Sequence, residues 1–274
     1  MNDTPGYVLG QSATAARRLE IQDAHFAEAS EQLLDSLAIR PQDRVVELGC
    51  GPGGLSRRIL GRLGEKGVLV AVDRTPGLLT QAQNSLAGVG KGRFEPVLAD
   101  VALLGPWLEG ADVVVGRAVL HHIPMVEFTI GRLRTLLRPG TRVGFIEPDF
   151  RSVLGRIGYL EATGRKELAP LRVWAVAINQ LYQLNQLSGA VGATLARTFE
   201  LAGYRNVQNA WSECASNAMM IENMLMFFDE VSERVQALGI LTAEEIGQQK
   251  QNLQGLAGAP LPAAWAIFRV TGES

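Results

Sequence analysis

The chain has 274 residues, 47% of them apolar and 20% charged. That is enough to bury a core as one enlarged domain, or as a domain with a sizeable insertion. The net charge of −2 comes from interspersed acids and bases, so the concentrated basic surface of a nucleic-acid binder is not expected. The opening MNDTPGYVLG has no basic segment followed by an apolar run, so no signal peptide is expected. The longest greasy stretch, MMIENMLMFF, is too short to span a bilayer. Two cysteines give no disulfide framework, and a reduced, cytoplasmic setting is expected.

From about Ser12 to Leu37 the apolar residues fall at helical spacing, with Ser12 as a cap. A short apolar run, Val45 to Leu48, then breaks into the glycines of RVVELGCGPGG. LSRRILGRL reads as a helix and GVLVAVD as a buried strand ending at Asp73. Thr75-Pro76 places a capping side chain before a first-turn proline, so another helix begins there. RFEPVLAD is a third strand ending at Asp100, and its Pro96 points to an irregular or edge position. ADVVVGR is the fourth strand, after which Pro124 opens a helix to Leu137; TRVGFIEPD is the fifth. Strands alternating with helices imply a parallel sheet covered on both faces. The rhythm then turns helical up to Ala190, with two aromatic-rich faces, before TLARTFELAGYRNV adds a further helix and strand. Thr242 and Glu245 have the spacing of a capping box, and AAWAIFRVTG is a closing strand. The expected organisation is a helical segment at 1–40, a ligand-binding core at 41–150, a helical insertion at 151–190, and the rest of the sheet with a further helical segment at 191–274.

The glycine loop supports two readings. Gly49, Gly51 and Gly54 satisfy G-x-G-x-x-G, and Asp73 follows at the distance of a ribose-binding acid, as in NAD(P) enzymes. Glu47, Gly49, Gly51 and Gly53 equally satisfy E-x-G-x-G-x-G. A pyrophosphate needs bare N–H groups with no anion beside them. A Glu47 carboxylate would repel it, and Pro52 lacks an N–H altogether. The same carboxylate would attract the sulfonium and ammonium of S-adenosylmethionine, which carries no phosphate. Electrostatics therefore favours the methyl donor.

Taken together, VVELGCGPGG, the strand-ending Asp73 and Asp100, and LHHIP after the fourth strand resemble a class I S-adenosylmethionine-dependent methyltransferase. The likeness runs through the first hundred and fifty residues, and the closing strand fits that family's reversed last strand. YVLGQSATAARRLEIQ is further similar to small-molecule methyltransferases of the quinone and natural-product kind, whose N-terminal helix folds over the cofactor as a lid. The resemblance implies a Rossmann-like, seven-stranded, mostly parallel sheet with helices on both faces and the last strand reversed. It implies that Gly49, Cys50 and Gly51, in the loop closed by Gly53, approach the methionine part of the cofactor through their backbone. Asp73 would take both ribose hydroxyls, and Asp100 with the Val101 backbone would meet the adenine. Arg117 would lie beside the methionine group, where the family often has a small or polar residue, and Tyr7 would close over the site from the lid. S-adenosylhomocysteine would be the product.

Two of the three histidines, His121 and His122, stand side by side in GRAVLHHIP. Zinc wants three or more protein ligands, adjacent residues rarely point at one ion, and no cysteine or carboxylate cluster accompanies the pair, so no metal is expected. His25 sits on the N-terminal helix. Ligands of parallel sheets bind beyond the carboxyl ends of the strands, so the histidine segment should border the methyl acceptor. Neighbouring side chains on a helix diverge by about 100°, so one histidine should face the pocket and the other pack. His121 is the candidate base, with a simple wall as the alternative. Glu147 and Asp149, at the end of the fifth strand, are the other candidates for touching the acceptor. VWAVAINQLYQLNQL and AMMIENMLMFF suggest a mostly apolar small-molecule acceptor with a hydroxyl or amine, or less readily a carbon nucleophile. A role in secondary metabolism, as a monomer or homodimer without nucleic-acid or membrane partners, completes the expectation. An NAD(P)-type oxidoreductase and a non-methylating S-adenosylmethionine-binding protein remain as alternatives.

Overall fold

The structure is a computed structural model that describes residues 13–214, 218–259, 261 and 265–274. Seven strands form one sheet in the order β3-β2-β1-β4-β5-β7-β6. They are β1 (Arg44–Leu48), β2 (Val68–Asp73), β3 (Arg93–Leu98), β4 (Val113–Arg117), β5 (Arg142–Asp149), β6 (Arg205–Cys214) and β7 (Trp265–Glu273). Pairings among β1 to β5 are parallel, whereas β7 runs antiparallel to both β5 and β6. This is the expected Rossmann-like sheet with its last strand reversed.

Alternation along the strands feeds two cores, because successive strand residues point to opposite faces. Val45, Leu69, Val113 and Val115 pack under α2 (Ala27–Ser36), α3 (Gly54–Leu60) and α4 (Pro76–Leu86). The same core continues into α6 (Phe150–Ala162), α7 (Ala169–Leu184), α9 (Ala218–Ala237) and α10 (Ala243–Gln254). Val46, Leu48, Val70, Val72 and Val114 pack on the other face against α5 (Val126–Leu136) and α8 (Val191–Leu201). Strand order reverses between β1 and β4, and that reversal opens a crevice at their carboxyl ends. The remaining helix, α1 (Ala13–His25), packs mainly on α9.

Several local expectations need correction. The N-terminal helix is two helices, because Phe26 leaves helical geometry and buries its ring under Arg117. Pro124 does not open α5; the helix starts at Val126, after Met125 in left-handed backbone (φ 52°). Thr75 stands at the N-cap of α4 without making the capping bond, since its hydroxyl turns back to Asp73. The edge position inferred from Pro96 is met by β3, and Thr242 and Glu245 close a reciprocal capping box on α10.

Candidate active site

The glycine loop leaves β1 in left-handed backbone at Gly49 (φ 70°), Gly51 (φ 52°) and Gly53 (φ 96°), conformations that side chains disfavour. A Cβ on Gly49 would also fall 2.5 Å from Val119 Cγ2, so the bare Gly49 backbone lies directly against the Val119 side chain of the segment leaving β4. Gly51, by contrast, would carry a Cβ into open space. Gly49 and Cys50 donate their backbone N–H to the Val72 carbonyl at 2.8 and 3.1 Å. Asp73, at the tip of β2, then accepts the N–H of Gly51 and of Thr75, each at 2.9 Å. Burial pushes the Asp73 carboxyl up, while those donors pull it back down. The Thr75 hydroxyl and the Arg74 N–H add to these donors, so a ligand diol at Asp73 competes with them for the carboxylate's roughly four acceptor positions.

Glu47 lies at the base of the same crevice with 1% of its surface exposed. Ser56 Oγ, on α3, donates to its Oε2 at 2.5 Å. Burial pushes the Glu47 carboxyl up to about 8, against the opposing pull of Ser56 and Arg117. Below that pH the group is neutral, which corrects the expectation of a standing carboxylate that turns phosphates away. Sequence alone does not report desolvation.

Arg117 does border the crevice, but its guanidinium reaches the N-terminal helices. Nη1 lies 2.7 Å from Asp23 Oδ1 on α1 and 3.0 Å from Ser30 Oγ on α2. A second arginine, Arg18 of α1, pairs with Glu230 of α9 at 2.8 Å with both side chains almost fully buried. Asp100 caps the short turn Val101–Leu103 through the Ala102 N–H (2.9 Å) and faces Arg74 at 3.7 Å. Tyr7 falls outside the described residues.

A cavity of about 950 Å³ runs from this loop to the histidines. His121 Nδ1 lies 2.6 Å from Glu147 Oε2, and the same carboxylate accepts the backbone N–H of Val119 (2.9 Å), Leu120 (2.8 Å) and His121 (3.3 Å). Glu147 is 0% exposed and does not border the cavity, so it is not the acceptor-touching group expected. Its lone pairs are consumed in folding the turn Leu120–His122 and orienting one imidazole. With Nδ1–H donated to the carboxylate, Nε2 is the ring nitrogen left for the cavity. Asp149 also falls away from the cavity, capping α6 through the Arg151 N–H at 2.9 Å.

His122 packs beside this pair, its ring centroid 4.0 Å from that of His121 and stacked on Tyr182 at 5.9 Å. Burial, then the charges of His121, Arg18 and Arg74, hold it well below the usual histidine range, so it is neutral. Both histidines border the cavity, contrary to the expectation of one, because the whole stretch His121–Pro124 forms its wall. Phe150, Trp174, Ile178, Tyr182 and Phe227 complete that end. Arg18 and Asp23, which also line the cavity, escaped sequence reasoning; Arg18 finds its partner 212 residues away, beyond any local pattern. His25 pairs its Nδ1 with the Ile21 carbonyl (3.0 Å) within its own helix. Among the described residues no three His, Cys, Asp or Glu side chains gather as a metal-binding group.

Residues 46–143 match the family described as "Methyltransferase domain". Trans-aconitate 2-methyltransferase of Methylobacterium nodulans is 35% identical over 135 residues, 49% of this chain and 49% of that one. The chain thus spans about half the length of that relative. Aklanonic acid methyltransferase DauC of Streptomyces sp. (strain C5) is 23% identical over 212 residues, 74% of this chain and 93% of its own. The cyclopropane synthase MmaA2 of Mycobacterium tuberculosis shares the fold with a TM-score of 0.59 at 13% identity, over 90% of this chain and 84% of that one. Residues 46–143 thus match a methyltransferase domain, and the seven-stranded sheet with its reversed final strand is a Rossmann-like fold shared with that solved structure.

Proposed function

We propose that the chain moves a methyl group from S-adenosylmethionine to a hydroxyl or amine of a mostly apolar small molecule. One observation carries this reading: a single cavity has the glycine loop, Asp73 at the end of β2 and Asp100 in the turn after β3 at one end, and an oriented histidine among aromatic rings at the other. The open side of Gly51 and the Asp73 carboxyl bonded to its N–H fit an aminoacyl ribonucleoside. Gly49, Cys50, Gly51 and Gly53 would shape the methionine cradle, Glu47 would face its cationic groups, and Asp73 would bind the ribose. Asp100 and the Val101 backbone would meet the adenine. Arg117 would fix the N-terminal helices above the methionine group.

The bound cofactor supplies an activated methyl on a positively charged sulfur, open to in-line displacement. Alignment of acceptor and methyl within closed walls contributes much of the rate. His121 Nε2 takes the acceptor's proton as the new bond forms, and Glu147 stabilises the resulting imidazolium. The aromatic rings exclude water and seat the acceptor's apolar body. The two relatives are each named for an acid. A carboxylate acceptor arrives without a proton, and His121 would then only position it.

The test is calorimetric titration with S-adenosylmethionine and with a nicotinamide dinucleotide. It is followed by assay of S-adenosylhomocysteine release over matched hydroxyarenes, arylamines and carboxylic acids. Saturable binding of the sulfonium nucleoside and product release with one class are expected. Binding of the dinucleotide alone would establish an oxidoreductase instead. Donor binding without product from any class would favour a non-methylating binding protein.

A further inference from the structure

Glu47 is a carboxyl group with no ion pair among the described residues, held in the wall of the cavity below the donor loop. Its surroundings are specific. Ser56 donates to it from α3 at 2.5 Å. Asp73 on β2 and Asp23 on α1 add negative potential, and the Cys50 thiol lies close enough to feel the Glu47 charge. The cation that faces it, Arg117 on β4, has committed its guanidinium to Asp23 and Ser30. A charge at Glu47 therefore lacks a full partner until a cationic ligand arrives. Resting on the cofactor reading above, we infer that Glu47 discriminates the charged methyl donor from its product, releasing one proton when the donor binds and recovering one when the methyl has left.

The balance is simple. The donor carries a sulfonium, an ammonium and a carboxylate, for a net charge of +1; its product has a neutral thioether sulfur and a net charge of zero. Donor binding converts the neutral carboxyl into a carboxylate and delivers one proton to solvent. After transfer the sulfonium charge is gone and only the ammonium remains, so the carboxylate is no longer fully matched and takes up one proton from solvent. The proton lost by the acceptor is accounted for separately and leaves through His121. Donor is thereby held more tightly than product, and the site does not retain what it has used.

The other titratable neighbours do not mimic this behaviour. Burial holds the Cys50 thiol well above its ordinary range, so it stays protonated. Asp73 is pushed up by burial but restrained by the N–H groups of Gly51 and Thr75. The Glu47 carboxyl is brought to about 8.

The experiment is calorimetry of S-adenosylmethionine and S-adenosylhomocysteine binding between about pH 6 and 7.5, below the range where α-amino groups titrate. Two buffers of different ionisation enthalpy count the protons released. Donor affinity should rise about tenfold per pH unit with close to one proton released, and product affinity should rise less. In Glu47→Gln the dependence should vanish and the preference for donor over product should shrink. In Ser56→Ala, which removes a bond favouring the charged form, the rise should shift to higher pH. A flat wild-type profile, or a slope that persists in Glu47→Gln, would overturn the inference while leaving the cofactor reading intact. Absence of donor binding at every pH would overturn both.

Discussion

The donor end of the cavity is built by neighbours along the chain, whereas the acceptor end is gathered from afar. Glu47, Gly49, Gly51 and Ser56 lie within ten residues, and Asp73 is hydrogen-bonded back to the same loop. Phe150, Trp174, Tyr182 and Phe227 come from α6, α7 and α9, and converge on His121 only because the sheet and its added helices bring them together. The first construction works largely through backbone N–H groups and two buried carboxyls, so few residue types satisfy it. The second works through shape and apolar area, which many sequences can supply. A class of donor is therefore tightly specified, and an acceptor is not.

The sharpest way to separate the two ends is His121→Ala. If the acceptor arrives protonated, kcat should fall about 10²- to 10⁴-fold, the usual worth of a positioned acid or base. Donor affinity measured by calorimetry should stay unchanged. Comparable losses in both would show that the histidine turn belongs to the donor end as well.

Arg18→Met attacks the seam between the ends, since the residue lies on α1 and pairs with Glu230 on α9, the helix that also carries Phe227. Breaking a buried pair strands the remaining charge and costs about 3–5 kcal/mol. Thermal unfolding should move to lower temperature, and donor dissociation in stopped flow should quicken. Pairing the change with Glu230→Leu, which removes the stranded charge, should restore much of the stability.

A pH-dependent effect sharpens the donor end alone. The Glu47 carboxyl moves from an ordinary value of 4.5 in the unfolded chain to about 8 in the folded one, chiefly by burial. Its raised value means that the folded protein holds the proton more firmly. This contribution to stability is fully present below about pH 4.5 and is lost as pH rises towards and through 8. Glu47→Gln carries no such proton. Thermal melts of wild type and variant should be similar below about pH 4.5, with the variant progressively the more resistant as pH rises to 8.

What the sequence made legible follows the same division. Alternating strands, the glycine loop, the strand-ending Asp73 and the edge position announced by Pro96 all rest on local pattern, and the sheet contains each of them where that pattern placed it. The break at Phe26 was not legible, because it depends on a ring buried beneath an arginine ninety-one positions along the chain. Nor was the task of Glu147: its position at a strand end is local, but its four bonds to residues 119–121 require β4 and β5 to lie side by side. The charge state of Glu47 was misread for a related reason. A letter states that a group can ionise, and only packing around it states whether water is there to allow it.

The tight contact between Gly49 and Val119 carries one last consequence. Val119 is also the first residue whose N–H the Glu147 carboxylate holds, two positions ahead of the imidazole it orients. Nothing compressible separates the floor under one reactant from the bracket aiming at the other. Displacing either surface displaces its neighbour, so under the proposed function donor and acceptor would be registered against each other through the Val119 side chain.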